Sequence, residues 1–143
     1  MSSTVGAGEP RSLAQKLGLS EGLLVQELGW DSDADDDLRV MIEDAIDGEL
    51  VEEAMEAVDV VLLWWRDDDG DLVDALVDAL PDLTDSGYIW LMTPKVGRDG
   101  YVDASEIAEA APTAGLSTTS SLTPTADWSA TKLMMPKSPR VKK

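Results

Sequence analysis

The chain has 143 residues, of which 43% are hydrophobic and 28% charged, and its formal net charge is −18. A chain of this length forms one domain, and it is too apolar to be wholly disordered. It contains no histidine and no cysteine, which excludes Ser-His-Asp and Cys-His nucleophiles, structural zinc, iron–sulfur clusters and disulfides. Any chemistry must therefore come from carboxylates, lysine, tyrosine or hydroxyl groups, or from a borrowed cofactor.

The two ends of the chain differ in composition from its middle. Residues 1–11 are rich in Ser, Gly and Pro and are predicted to be a flexible segment, 12–135 are predicted to form the domain, and 136–143 are predicted to be a basic flexible tail. The amino-terminal sequence has no apolar signal region, and no run of 18 apolar residues occurs anywhere. We therefore expect a cytoplasmic protein that does not bind membranes.

Apolar periodicity predicts alternating helices and strands along the chain. The first four elements are a short helix or turn over 13–19, a buried strand over 23–28, an amphipathic helix with its apolar face at Leu38, Met41, Ile42, Ala45 and Ile46, and a short strand over 49–53. The later elements are a strand over 58–65, a helix over 71–80, a strand over 88–92, a helix over 104–114 and a hairpin of 117–125 with 128–135.

This alternation predicts an α/β fold with a single Rossmann-like sheet. The sheet is expected to be mostly parallel with an antiparallel hairpin at its carboxyl-terminal end, and helices are expected on both of its faces. The strands over 58–65 and 88–92 are apolar on both faces and are separated by a helix, so we predict that they are parallel and adjacent.

Aromatic and basic residues follow the ends of the predicted strands, where ligands of open α/β sheets bind. They form a candidate ligand or interaction edge consisting of Trp30, Trp64, Trp65, Arg66, Lys95 and Arg98. Aromatic walls suit a small-molecule pocket or a protein contact, and the cations suit a phosphate or carboxylate. The simpler interpretation is that at least one of the adjacent tryptophans lies in the core and that the cations pair with the neighbouring Asp67, Asp68 and Asp99. No catalytic residue is predicted, because Tyr101 and Ser105 form no recognisable acid–base pair.

Negative charge is concentrated in residues 21–85, which contain 23 acidic residues against two basic ones, Arg39 and Arg66. Such a field repels nucleic acid and anionic membranes and attracts basic partners or cations. We expect a protein partner with a basic surface to bind an acidic interaction surface made of Asp31, Asp33, Asp35, Asp36 and Asp37. Mimicry of nucleic acid and a simple role in solubility are the alternatives.

The same aspartates have part of the spacing of a calcium-binding loop. Asp31, Asp33 and Asp35 match its first alternating positions, but Asp36 replaces the required glycine and Ile42 replaces the bidentate glutamate. Helix capping and a solvated acidic face explain these residues more simply, so no metal site is predicted.

Four strings between residues 58 and 135 resemble the later half of a class I methyltransferase-type Rossmann domain: DVVLLWWRD, DALVDALPDLTDSGYIWLMTPK, IAEAAPTAGLSTTSSLTPT and WSATKLMMPK. Three shorter strings, LLWWRD, GYIWLMTPK and IAEAAPTAGL, resemble an actinobacterial family named domain of unknown function 3052. The first resemblance implies a methyltransferase-like fold over roughly residues 58–135, and the family resemblance covers nearly the whole chain. It implies no activity, because the family is named for lacking a known one.

The cofactor loop of such enzymes is a glycine-rich turn after the first strand, which lets the backbone approach the cofactor. In this chain Gly29 is followed by Trp30 and five aspartates, which would repel the carboxylate of S-adenosylmethionine or a dinucleotide pyrophosphate. We therefore expect no cofactor and interpret the chain as a non-enzymatic binding or regulatory protein. The alternative is a small-molecule (nucleotide-like) sensor, or a methyltransferase-related enzyme, with its site at the strand ends.

Overall fold

The computed structural model describes residues 15–53 and 55–135, so the segments 1–11 and 136–143 that were predicted to be flexible lie outside the described residues. The described elements, in chain order, are β1 (Val25–Leu28), α1 (Asp36–Ile46), β2 (Val58–Trp64), α2 (Leu72–Asp78), β3 (Leu83–Pro94), α3 (Ala104–Thr113), β4 (Ser117–Leu122) and β5 (Trp128–Met134).

The five strands form one sheet in the order β1-β2-β3-β5-β4. β1, β2 and β3 are parallel, and β5 and β4 form an antiparallel hairpin at the far edge. The predicted adjacency of β2 and β3 is confirmed by a register that pairs Val61 with Ile89 and Leu63 with Leu91. These strands are apolar on both faces because helices cover both faces of the sheet.

The core is divided into two layers by the sheet. On one face, Leu38, Ile42 and Ile46 of α1 pack against side chains that include Trp64 and Trp90. On the other face, residues of α2 and α3 pack against alternate positions of the same strands. The predicted placement of helices on both faces is therefore confirmed. Among the described residues, no helix is both long and apolar enough to span a bilayer.

Two predicted strands differ most in extent from the observed ones. β3 starts at Leu83 rather than at residue 88, because Leu83 pairs with Val58 of β2 and the register then shifts, so that Val60 pairs with Tyr88. The predicted strand over 49–53 is reduced to a single parallel bridge between Val51 and Gln26.

The bridge at Val51 shows where the order of the strands in the sheet reverses. Gln26 pairs with Val61 of β2 on one side and with Val51 on the other, so Val51 lies on the outer edge of β1. The chain leaves β1, crosses through α1 to that edge, and then returns to form β2 on the opposite side of β1. The carboxyl ends of β1 and β2 therefore lie at the switch point, where ligands of open α/β sheets bind.

Candidate functional site

The guanidinium of Arg66 occupies the space between the carboxyl ends of β1 and β2. Its Nη1 donates to the Gly29 carbonyl oxygen at 2.6 Å and to the Trp64 carbonyl oxygen at 3.3 Å. Its Nε donates to Asp33 at 3.0 Å, and Nη2 also binds that carboxylate. Asp69 accepts at 3.4 Å from Nη1. All three nitrogens of the guanidinium are thus directed at groups of this chain, and Arg66 is only 9% exposed.

A second ion pair lies beside it on the same strand ends. Glu27, which is 4% exposed, accepts two hydrogen bonds from Arg39, at 2.7 Å and 2.8 Å. It accepts a third, at 2.9 Å, from the indole Nε1 of Trp64. A carboxylate at the centre of a buried contact needs this full set of donors, because an unpaired charge there would be costly.

Trp128 joins the two ion pairs from the hairpin. Its ring makes an edge-to-face contact with Trp64, with the ring centroids 4.8 Å apart, and lies 5.4 Å from the guanidinium carbon of Arg66. Its Nε1 donates to the Asp33 carbonyl oxygen at 3.3 Å. We call Glu27, Asp33, Trp64, Arg66 and Trp128 the strand-end cluster.

The electrostatics of the strand-end cluster follow from these contacts. Hydrogen bonding to Arg66, together with its charge, holds the pKa of Asp33 below its ordinary value, although partial burial acts in the opposite direction. Asp33 therefore stays ionised over the whole neutral and mildly acidic pH range, and its charge is paired with that of Arg66.

The predicted edge residues lie in different surroundings. Trp64 and Trp65 are both buried, on opposite faces of the sheet, so neither forms the wall of an open pocket. Trp30 is 48% exposed, with the guanidinium of Arg39 lying 5.6 Å from its ring centroid. The tryptophans of the candidate ligand or interaction edge thus lie partly in the core and partly on the surface.

The predicted ion-pair partners of the basic edge residues were wrong. Arg66 pairs with Asp33 and Asp69 instead of Asp67 or Asp68, and Arg98 pairs with Asp127 at 3.1 Å instead of Asp99. Asp33 and Asp127 come from loops that the sheet brings together, which local sequence proximity could not indicate, whereas Asp69 is three residues from Arg66. Lys95 is half-buried at the end of β3 and has no ion-pair partner among residues 15–53 and 55–135.

The five aspartates of the predicted acidic interaction surface do not act alike. Asp33 binds Arg66, Asp35 caps α1 by accepting from the Leu38 amide at 2.9 Å, and Asp36 pairs with Arg39 at 3.3 Å. The Asp31 carboxylate accepts from the adjacent Ser32 amide. Asp37 is exposed at the start of α1. Part of the predicted surface therefore has a structural role.

Sequence reasoning missed Glu27 and Trp128. Glu27 carried a readable signal, since it is a charged residue inside an otherwise apolar strand and such a residue is buried only with a partner. Trp128 carried none, because its contact with Trp64 depends on the position of the hairpin in the sheet.

The sheet order and the helix on each face define a methyltransferase-like Rossmann domain. An S-adenosylmethionine-dependent methyltransferase from Aquifex aeolicus has a similar structure, with a TM-score of 0.58 at 12% identity and 90% of each chain covered. Mitomycin 7-O-methyltransferase MmcR gives a TM-score of 0.59 at 14% identity, and the match spans 92% of this chain but about half, 55%, of that one. At these identities the likeness concerns the fold alone.

The chain belongs to the family described as protein of unknown function DUF3052, whose profile matches residues 14–137. Uncharacterized proteins of Mycobacterium tuberculosis (strain ATCC 25618 / H37Rv) and Mycobacterium bovis (strain ATCC BAA-935 / AF2122/97) are 54% identical to it over 138 residues, which cover 96% of this chain and 87% of theirs. The predicted family is confirmed.

The residues at the strand ends do not fit S-adenosylmethionine. Gly29 has a φ of +77°, and a β-carbon there would collide with the Trp64 carbonyl oxygen, so this glycine serves the contact between the two strand ends. Arg66 fills the adjacent space and directs its donors at Asp33 and at backbone oxygens. A ligand carboxylate would also meet the aspartates of the following loop. No step of methyl transfer is therefore derived for this chain.

Proposed function

We propose that this chain is a non-enzymatic binding or regulatory protein of the cytoplasm, in which a methyltransferase-like domain presents an acidic face to a protein partner with a basic surface. We define the acidic face as the loop 31–37 together with Val40 and Asp44 on the outer side of α1, bordered by Trp30. The single observation that carries the proposal is the strand-end cluster, whose internal ion pairs take the place of a cofactor.

The charge of the acidic face supports a basic partner. Both arginines within residues 21–85 form ion pairs with carboxylates of the same chain, Arg39 with Glu27 and Arg66 with Asp33. Asp37 and Asp44 are exposed and form no ion pair with the described residues. Their charges remain free to attract a basic surface over a range set by the ionic strength.

Exposed apolar groups within the acidic face support a protein rather than a free cation as the partner. Trp30 is 48% exposed and Val40 is 56% exposed. Tryptophan is enriched among the residues that dominate protein–protein binding energies, and an apolar centre within a charged surround is the usual anatomy of such interfaces.

The test is affinity capture from cells that express the protein, comparing the wild-type chain with the double variant Asp37→Asn and Asp44→Asn. We expect a captured protein that is released at about 0.5 M NaCl and whose affinity for the double variant is about fivefold lower, equivalent to about 1 kcal/mol for two exposed charge contacts. Trp30→Ser should weaken binding further.

The matched control is Asp74→Asn with Asp78→Asn, which makes the same change of net charge on α2, across the sheet from α1. This control should bind the partner as the wild type does. Equal losses in both double variants, or binding that salt leaves unchanged, would refute recognition through the acidic face. If DNA competes for the same partner, the face acts as a mimic of nucleic acid.

The alternative of a methyltransferase-related enzyme is tested by isothermal calorimetry with S-adenosylmethionine at millimolar concentration. We expect no binding heat, because Arg66 and the aspartates occupy the position that the cofactor needs. A saturable heat with one-site stoichiometry would favour the enzyme instead.

A further inference from the structure

A groove of about 430 Å³ lies at the carboxyl end of β3, on the face of the sheet that α2 and α3 cover. Its walls are the turn after β3, the start of α3 and the β4–β5 hairpin. The strand-end cluster lies on the opposite face, with Trp64 and Trp128 packed under α1. The groove is therefore separate from the strand-end cluster.

The polar groups in the groove are unusual for this chain. The chain contains 29 acidic residues, yet none of those among residues 15–53 and 55–135 lines the groove. The polar residues that line it are Lys95 and the hydroxyl-bearing Thr93, Tyr101, Ser121, Thr123, Ser129 and Thr131. A single cation surrounded by neutral hydrogen-bonding groups is suited to an oxyanion.

Apolar groups complete the groove. Val96 is 75% exposed and Tyr101 is 38% exposed, so two of the large hydrophobic side chains that the described surface leaves open lie here. Val102 and Ile107 form a buried floor. Pockets for small organic molecules combine apolar walls with a few polar groups in this way, and their volumes span about 300–1,000 Å³.

The turn that carries Lys95 is held in place from both sides. The Lys95 amide donates to the Asp127 carbonyl oxygen at 3.0 Å, and the Asp67 amide donates to the Gly100 carbonyl oxygen at 2.9 Å. A β-carbon on Gly100 would lie 2.9 Å from Cβ of Arg66, so this glycine allows the turn to pack on that side chain. The groove is therefore formed before any ligand binds, which lowers the cost of binding.

We propose that this groove binds a small organic oxyanion, with a carboxylate or phosphate on Lys95 and an apolar portion between Val96 and Tyr101. Lys95 supplies the charge, the hydroxyls of the hairpin bind the remaining oxygens, and the exposed apolar side chains cover the carbon skeleton. This binding needs no protein partner, so its failure would leave the proposed function untouched.

The test is a titration of the ¹⁵N-labelled chain followed by NMR, with benzoate and phenyl phosphate as probes and benzamide as the uncharged isostere of benzoate. Benzoate or phenyl phosphate should shift the amides of 93–102 and 121–131 with saturation in the millimolar range, and the tighter of the two identifies the head group. Benzamide should bind at least about tenfold more weakly, the loss expected when about 1.4 kcal/mol of charge interaction is removed.

Lys95→Gln should weaken binding of the anionic probe at least about fivefold, whereas Lys16→Gln, the same charge change at an exposed position outside the groove, should have no effect. The proposal is overturned if no probe gives saturable shifts, if the shifts lie outside the groove, if benzamide binds as well as benzoate, or if both lysine variants behave alike.

Discussion

Glu27 and Arg66 are single residues that determine the contacts at the strand ends. Each is a buried charged side chain whose partners come from a different part of the chain, Arg39 for Glu27 and Asp33 for Arg66. Removing one member of such a pair leaves an uncompensated buried charge and costs about 3–5 kcal/mol. A ligand placed between the ends of β1 and β2 would have to break these pairs.

Gly29 is the residue at which this closure is most easily tested. Gly29→Ala should lower the free energy of unfolding by at least about 2 kcal/mol, because a left-handed backbone conformation strains alanine by about 1–3 kcal/mol and the new methyl group would also meet the Trp64 carbonyl oxygen. Urea denaturation measures the change.

Gly22→Ala is the control for that prediction. Gly22 has a similar φ of +91°, but no atom of the described residues lies within 4 Å of an added β-carbon. The free energy of unfolding should therefore fall only by the added backbone strain, about 1 kcal/mol. Equal losses in the two variants would show that the strand ends do not approach each other as closely as described.

The ion pair of Asp33 with Arg66 predicts a pH dependence of stability. Because the pKa of Asp33 is lowered in the folded protein, its contribution is complete above about pH 5, beyond the ordinary range of an aspartate, and is lost as the pH falls through the lower folded-state pKa. The difference in free energy of unfolding between the wild type and Asp33→Asn should therefore shrink between about pH 5 and pH 3.

Urea titrations at a series of pH values measure this difference. Asp37→Asn serves as the reference, since that carboxylate is exposed and has no ion-pair partner in the described part of the chain. A difference for Asp33→Asn that stays constant with pH would show that Arg66 does not depend on the charge of Asp33.

At the scale of elements, apolar periodicity predicted most of the fold. The strands at β2 and β3 and the apolar face of α1 follow directly from runs and spacings of apolar residues, because both faces of this sheet are covered. The start of β3 was missed because residues 83–87 are mostly polar, and Leu83 pairs with Val58 of β2 across a register shift. That shift is a tertiary property, which periodicity does not record.

The residues at which the helices begin can be recognised in the sequence from their N-cap aspartates. Each of the three described helices has an aspartate at its N-cap, namely Asp35, Asp71 and Asp103. A side-chain oxygen there accepts a hydrogen bond from an amide of the first turn, and the negative charge is favourable at the positive end of the helix dipole. Part of the acidity of this chain thus stabilises its helices.

Asp35 allows this role to be measured. Asp35→Ala should lower the free energy of unfolding by about 1 kcal/mol, and Asp35→Ser should retain most of it, since serine caps as well as aspartate does. If alanine is tolerated and both variants instead reduce partner binding alike, the Asp35 carboxylate serves partner binding and does not stabilise the helix.

At the scale of the whole molecule, the candidate site was harder to predict than the fold. Sequence placed Trp64 and Arg66 at the end of a strand, but it could not place Asp33, which is 33 residues away from Arg66, against that strand end. Nor could it show that Lys95 stands in a groove free of acidic side chains. Both facts depend on which loops the strand order brings together.

The strand order also separates charge across the molecule. The acidic residues 21–85 include β1 and β2 at one edge of the sheet, whereas the hairpin at the other edge contains Lys132 and only Asp127 as an acidic residue. Repulsion among the charges that make up the net charge of −18 destabilises the compact state, and salt screens that repulsion.

Salt should therefore stabilise this protein. Between about 0.1 M and 1 M NaCl the Debye length falls from about 10 Å to about 3 Å, so the urea midpoint should rise as repulsion among the exposed acids is screened. A variant that combines Asp37→Asn, Asp44→Asn, Asp74→Asn and Asp78→Asn should be more stable than the wild type at low salt. Removing the like-charge i,i+4 pair of Asp74 and Asp78 should by itself contribute about 0.2–0.5 kcal/mol. Its midpoint should also rise less with salt than that of the wild type. A wild-type midpoint that falls as salt is added would mean that attraction within the pairs of Arg39 and Arg66 outweighs the repulsion, and the acidic half would then be balanced within the molecule and not available to a partner.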